Sequence, residues 1–113
     1  MFREGDTCPV REWLRSLPAK VAAKGVGRLE QLAQLGHEMR RPEADYLEEG
    51  IHELRWRFQS VNYRLLYFFH NRDTVVLSHG FTKEDRVPPG EIGLALRRKG
   101  MFLKDPKAHA EEA

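Results

Sequence analysis

The sequence has a single cysteine, Cys8, which excludes an internal disulfide and any cysteine-based zinc cage. No apolar run comes near the roughly 18 residues that a membrane span needs. The opening Met1-Phe2-Arg3-Glu4-Gly5-Asp6 is charged and lacks an apolar core, so it does not read as a secretory signal. There is no internal repeat, no low-complexity block and no glycine-rich phosphate loop. The histidines fall at no spacing that supports a metal site, and no cofactor is expected. The 113 residues have room for one domain, 1–113, and not for two. A cytoplasmic protein without membrane association is the expectation.

What is present is a dense mixture of charge and aromatic rings. Charged residues make up 32% and apolar ones 41%, and 6 Phe, 3 Tyr and 2 Trp supply enough area to bury for a folded core. The charge is uneven. Residues 1–50 hold 8 Lys and Arg against 9 Asp and Glu, whereas residues 51–113 hold 11 against 8. The basic half is also the aromatic half, with Trp56, Phe58, Tyr63, Tyr67, Phe68, Phe69, Phe81 and Phe102. Cations for phosphates and flat rings for bases are what a nucleic-acid surface needs. A β-rich core ringed by solvated arginines has the same composition, and composition leaves both readings open.

Pro9 suits a first helical turn, and Val10, Trp13, Leu14 and Leu17 keep a helical period that Pro18 ends. A second, longer helix runs from Pro18 to a Gly36 C-cap, weakened at Gly25 and Gly27 by about 1 kcal/mol each relative to Ala. Residues 37–50 read as an irregular connection. From Ile51 the period becomes two. Three strands are expected over 51–58, 63–69 and 74–81, with a hairpin loop at His70-Asn71-Arg72-Asp73. A short basic helix over 89–99 ends in Arg97-Arg98-Lys99, a placement the helix dipole itself favours. Residues 105–113 are expected to fray. The fold class is therefore α+β: two N-terminal helices on a small antiparallel sheet, followed by a short C-terminal helix. The helices cover one face, and Arg55 and Arg57 lie on the other, exposed one.

Glu53-Leu54-Arg55, Tyr63-Arg64-Leu65-Leu66-Tyr67 and Val75-Val76-Leu77-Ser78-His79-Gly80-Phe81-Thr82-Lys83 follow one another in order. Pro88-Pro89-Gly90-Glu91-Ile92 then leads into Ala95-Leu96-Arg97-Arg98. In this order and spacing the chain resembles the RelE/ParE toxin superfamily of bacterial toxin–antitoxin systems, nearest its HigB-like, phage-associated branch, over residues 8–104. The resemblance implies a RelE-like fold and a growth-arresting toxin that cuts mRNA on the ribosome. It also implies a cognate helix-turn-helix antitoxin, bound in a toxin–antitoxin hetero-oligomer. Many members carry two adjacent lysines after the Phe-X; here Lys83 is followed by Glu84 and Asp85, which offset part of its charge.

Metal-independent RNA cleavage uses the ribose 2′-OH as nucleophile. It needs a proton acceptor, cations for the phosphorane and a donor for the departing 5′-oxygen. Arg55, Arg57 and Arg64 come from neighbouring strands, and charge stabilisation is assigned to them, with Arg64 meeting the other two if the register agrees. Arg55, Arg64 and Lys83 are the catalytic candidates. Lys83 could move a proton, contact a phosphate or be a turn lysine. Arg57, Arg97, Arg98 and Phe81 are the RNA-binding candidates, Phe81 by stacking. Glu53 and His79 are supporting candidates. Glu53 reads better as a partner that fixes an arginine than as a base. His79 shares its alternation with Val75, Leu77 and Phe81, so packing in the core is favoured over catalysis, and His52 reads the same way. Two other classes stay open: a non-nucleolytic, ParE-like gyrase inhibitor, and a remnant that only binds antitoxin, for which Glu84-Asp85 is the sign.

Overall fold

The computed structural model describes residues 1–83 and 86–112; Glu84 and Asp85 lie outside them. Helix α1 spans Pro9–Ser16, and Glu12 reaches back to accept from the Cys8 backbone N–H at 3.2 Å. Leu17, before Pro18, is extended and closes it. Helix α2 spans Ala19–Leu35 and stops at Gly36, whose φ of 53° lies in the left-handed region. A turn of 3-10 helix, Gly36–Glu38, follows. The sheet is an antiparallel meander in chain order, with β1 Ala44–Glu48, β2 Ile51–Phe58, β3 Val61–His70 and β4 Thr74–Thr82. Helix α3, Pro89–Lys104, closes the chain of elements. No helix among the described residues is long and apolar enough to cross a membrane.

Strand β1 is an addition to the three strands expected, and it lies where an irregular connection was read. Its sequence is polar because it is an edge: only Ala44 is fully buried. The turn to β2 is built by Glu49 and Gly50, with φ of 49° and 85°, the two left-handed positions a tight hairpin requires.

The two faces of the sheet have separate cores. Helices α1 and α2 bring Val10, Val21 and Leu32 against Leu54, Trp56, Tyr63, Leu65, Tyr67 and Leu77. They come close because two positions lack a side chain. A Cβ on Gly25 would lie 2.6 Å from Trp56 Cζ2, and one on Gly80 would enter the Trp13 ring. On the other face, Ala95 and Phe102 of α3, with Phe2, cover Ile51, Leu66, Phe68 and Val76. This corrects the expectation of a fully open face. The strand residues there are apolar, and each that is fully buried contributes roughly 1.5–3 kcal/mol. Helix α3 is accordingly not short. It runs on to Lys104 so that Phe102 can be buried, which leaves Arg97-Arg98-Lys99 inside the helix and not in its last turn.

The segment after Lys104, expected to fray, folds back on the N-terminus. The Arg3 N–H donates to His109 O and the Glu111 N–H to Met1 O, both at 2.9 Å. Phe2 stacks on His109, with ring centroids 5.2 Å apart.

Candidate functional site

The apolar cluster under α3 stops at Leu66 and Phe81, and beyond it the same face of the sheet turns polar. Register decides what meets there. Asp45, Glu53, Leu66 and His79 form one row across the four strands. Arg55, Arg64 and Phe81 form the next, with Arg55 directly opposite Arg64. Arg57 and Asn62 form the third, and the Lys83 N–H donates to Asn62 O at 3.3 Å.

The presence of His79 and Phe81 in these rows is a correction. Alternation along β4 put them with Val75 and Leu77. The pairing of β3 with β4 jumps from Leu66–His79 to Tyr67–Leu77, leaving Ser78 as an extra residue. That bulge reverses the parity. Val75 and Leu77 face α1 and α2, while His79 and Phe81 face the arginines.

Glu53 is the centre of the arrangement. It is 1% exposed, and its two oxygens take different arginines: Oε1 lies 3.1 Å from Arg55 Nη1, and Oε2 accepts from Arg64 Nη1 at 2.8 Å. Arg64 is itself buried, and its Nε donates to Lys83 O at 3.1 Å, so the end of β4 is tied to this pair. Arg55 donates from Nε to Pro42 O at 2.7 Å and lies 3.9 Å from Asp45 Oδ2. Two guanidinium forks are thereby held in one row, with one carboxylate between them. Arg57 is more exposed; it donates to Gln59 O at 3.1 Å and to Asn62 Oδ1 at 3.4 Å. Lys83 stands exposed at the edge of the patch.

His79 is on this face but turned inward. Its Nδ1 is 2.9 Å from Ser78 Oγ, and its buried Nε2 is 3.4 Å from Glu91 Oε1 on α3. Burial pushes its pKa below the ordinary value; Glu91 opposes the shift and Arg98 adds to it. Its geometry is that of a clamp between β4 and α3. Arg98 has a similar engagement, donating from Nη1 to Ser78 O at 2.9 Å with its guanidinium 5.3 Å from the Phe2 ring centre. Arg97 is exposed on α3. Phe81 is half-buried, its ring 5.7 Å from that of His79.

Register thus brings Arg55, Arg64, Glu53 and Phe81 together, with Arg57 and Lys83 at the rim, while Arg98 and His79 serve packing. Two contributors went unnoticed in the sequence. Asp45 lay in the stretch read as irregular, and Glu91 was seen in its motif without a role. Among the described residues, no group of three His, Cys, Asp or Glu could hold a metal ion.

The family described as phage-derived protein Gp49-like (DUF891) matches residues 12–100, most of the chain and every strand of the sheet. The chain belongs to the Gp49-like family. No curated protein and no solved structure matches it. The Gp49-like match runs from α1 into α3, and so contains all three rows of the polar corner.

Proposed function

We propose that this Gp49-like protein is the toxin of a toxin–antitoxin pair, a ribosome-dependent endoribonuclease that cuts mRNA and is neutralised by a cognate helix-turn-helix antitoxin. The family is associated with the toxins of toxin–antitoxin systems. The observation that carries the reading is Arg55 opposite Arg64, both fixed by one buried carboxylate, with Arg55 the more exposed of the two guanidinium groups.

In this reading the ribose 2′-oxygen attacks the adjacent phosphorus and the 5′-oxygen leaves. The products are a 2′,3′-cyclic phosphate and a 5′-OH. Arg55 and Arg64 hold the charge that grows on the phosphorane oxygens. A planar fork that never loses its proton suits that work better than a flexible ammonium. Glu53 takes no proton; it sets the rotamers of both arginines. The 2′-hydroxyl proton passes to solvent water, and protonated Lys83 gives its proton to the departing 5′-oxygen and is reprotonated from solvent. Arg57 holds a flanking phosphate and Phe81 offers a ring to a base.

The test is primer extension on a reporter mRNA in a purified translation system, with and without ribosomes. Wild type, Arg64→Ala and Lys83→Met are compared, and circular dichroism confirms that each is folded. Discrete ribosome-dependent cuts are expected, weakened by roughly 10²–10³ in each variant. The exposed Lys83 keeps the test open if Arg64→Ala does not fold. A folded wild type that makes no cuts, or cuts that persist in both variants, would overturn the reading. Inhibition of gyrase supercoiling without cuts would replace it with the non-nucleolytic one.

A further inference from the structure

A second feature lies across the sheet from this corner. Beyond the C-terminal end of α2 the helical cover ends, and a cavity of about 520 Å³ opens between the 3-10 turn and strands β1 to β3. Its walls are rings. His37 stacks on Phe69 with centroids 3.6 Å apart, and His52 meets Tyr46 and Phe69 edge-on, each at 5.1 Å. Tyr46 is 56% exposed, so one wall of this box is open. Arg40 and Arg41 stand exposed at the rim, and both belong to the cavity lining.

We infer that this cavity takes one unpaired nucleobase of a single-stranded RNA, its ring against Tyr46, His52 and Phe69 and its phosphate at Arg40 and Arg41. A flat π-surface needs flat partners, and Tyr46, exposed and edge-on to His52, offers its face to an inserted base, while His37 stacked on Phe69 and Tyr67 stacked on His52 back the other walls. The cavity is of the size that small ligands fill. Burial, with the positive charge of His37, Lys99 and Arg40, holds the His52 pKa below its ordinary value against the opposing pull of Asp45. A neutral imidazole carries one donor and one acceptor, which suits a base edge. An apolar peptide helix would fit elsewhere better, in the cleft of about 430 Å³ lined by Leu29, Leu32 and Val75.

The cavity is connected to the arginine corner around the β1 edge. Asp45 Oδ2 is 2.8 Å from Arg41 and 3.9 Å from Arg55, and Arg55 leads on through Glu53 to Arg64. Arginines, alternating with the Asp45 and Glu53 carboxylates that position them, therefore follow the edge strand from one face of the sheet to the other. A strand whose scissile phosphate sits at Arg55 and Arg64 can pass over β1 and place a flanking base in the box. The choice of RNA as the polymer rests on the nuclease reading above, but the binding test needs no cleavage.

The test is NMR of the histidine ring protons in the intact protein, titrated first with adenosine 5′-monophosphate and then with a short single-stranded oligoadenylate RNA. Shifts of His37 and His52 are expected with both ligands, at least tenfold tighter for the oligonucleotide. Tyr46→Ala and Arg41→Ala change exposed side chains and should each weaken binding tenfold or more. In the cleavage assay Tyr46→Ala should raise KM and leave kcat alone. Silent His37 and His52 rings, or undiminished affinity in Tyr46→Ala, would overturn the inference even if the protein cuts mRNA. Equal affinity for mononucleotide and oligonucleotide would overturn the RNA assignment in favour of a free nucleotide. Ring shifts in a protein that makes no cuts would uphold base binding while removing the nuclease reading.

Discussion

On the side of the sheet under α1 and α2, strands β2 and β3 present Leu54, Trp56, Tyr63, Leu65 and Tyr67. On the side under α3 the same two strands present Ile51, Leu66 and Phe68, and then Glu53, Arg55 and Arg64. The residues alternate along one backbone, so strand propensity does not separate the two sides. What separates them is the partner: Ala95 and Phe102 of α3 meet apolar strand residues, whereas Glu53 meets Arg55 and Arg64. A buried ion pair is also a poor way to gain stability, because desolvation consumes most of the attraction. Keeping Glu53 and Arg64 at buried positions makes sense for a site that must hold charge in a fixed place.

The comparison breaks most visibly if one partner is removed. Glu53→Ala removes the buried carboxylate that Arg55 and Arg64 share and should cost about 3–5 kcal/mol in urea unfolding. The double change Glu53→Met with Arg64→Leu should recover most of that, while abolishing any phosphate-directed activity. A double variant as unstable as the single one would mean that the pair holds the fold and not a function. The helical side should yield to volume instead. Gly80→Ala drives a methyl into the Trp13 ring and should cost about 1–3 kcal/mol, seen as a lower denaturant midpoint with an unchanged slope. Phe68→Leu, under α3, should cost on the order of 1 kcal/mol.

The smallest effect concerns pH. His79 and His52 have pKa values lowered by burial, so the unfolded chain binds protons that the native state refuses. Their contribution is fully present above the unfolded value of about 6.5 and is lost as pH falls through the native values. Unfolding free energy should decline below pH 6.5, and His79→Gln should flatten that decline.

Much of the frame was legible in the sequence. Pro9, Pro18, Gly36 and Pro89 mark helix limits through backbone geometry, which is local. The alternation from Ile51 to Phe58 was read with its bounds intact. What was missed depends on contacts between distant residues. Strand β1 has almost no apolar alternation, and only its pairing to β2 reveals it. The length of α3 follows from the place Phe102 finds among Phe2, Ile51 and Phe68. For the site, parity alone placed Arg55 and Arg57 together. Arg64 meets Arg55 through register, and Glu53, expected to pair with Arg55 or Arg64, pairs with both. Histidine 79 was misplaced because one residue in β4 does not count towards the alternation.

That residue, Ser78, divides β4 into two sentences written in different phase. Before it the odd-numbered Val75 and Leu77 face α1 and α2; after it the odd-numbered His79 and Phe81 face the arginines. Deleting Ser78 would leave an unbulged strand with every side chain on its present face, whereas pairing it into the ladder would readdress the whole remainder of the strand. His79 or Phe81 would then arrive where Trp13 tolerates only Gly80, and the strand would have no room to slip into that frame. The tight seat of a tryptophan on one side of the sheet thus acts as a proofreading device for the composition of the other.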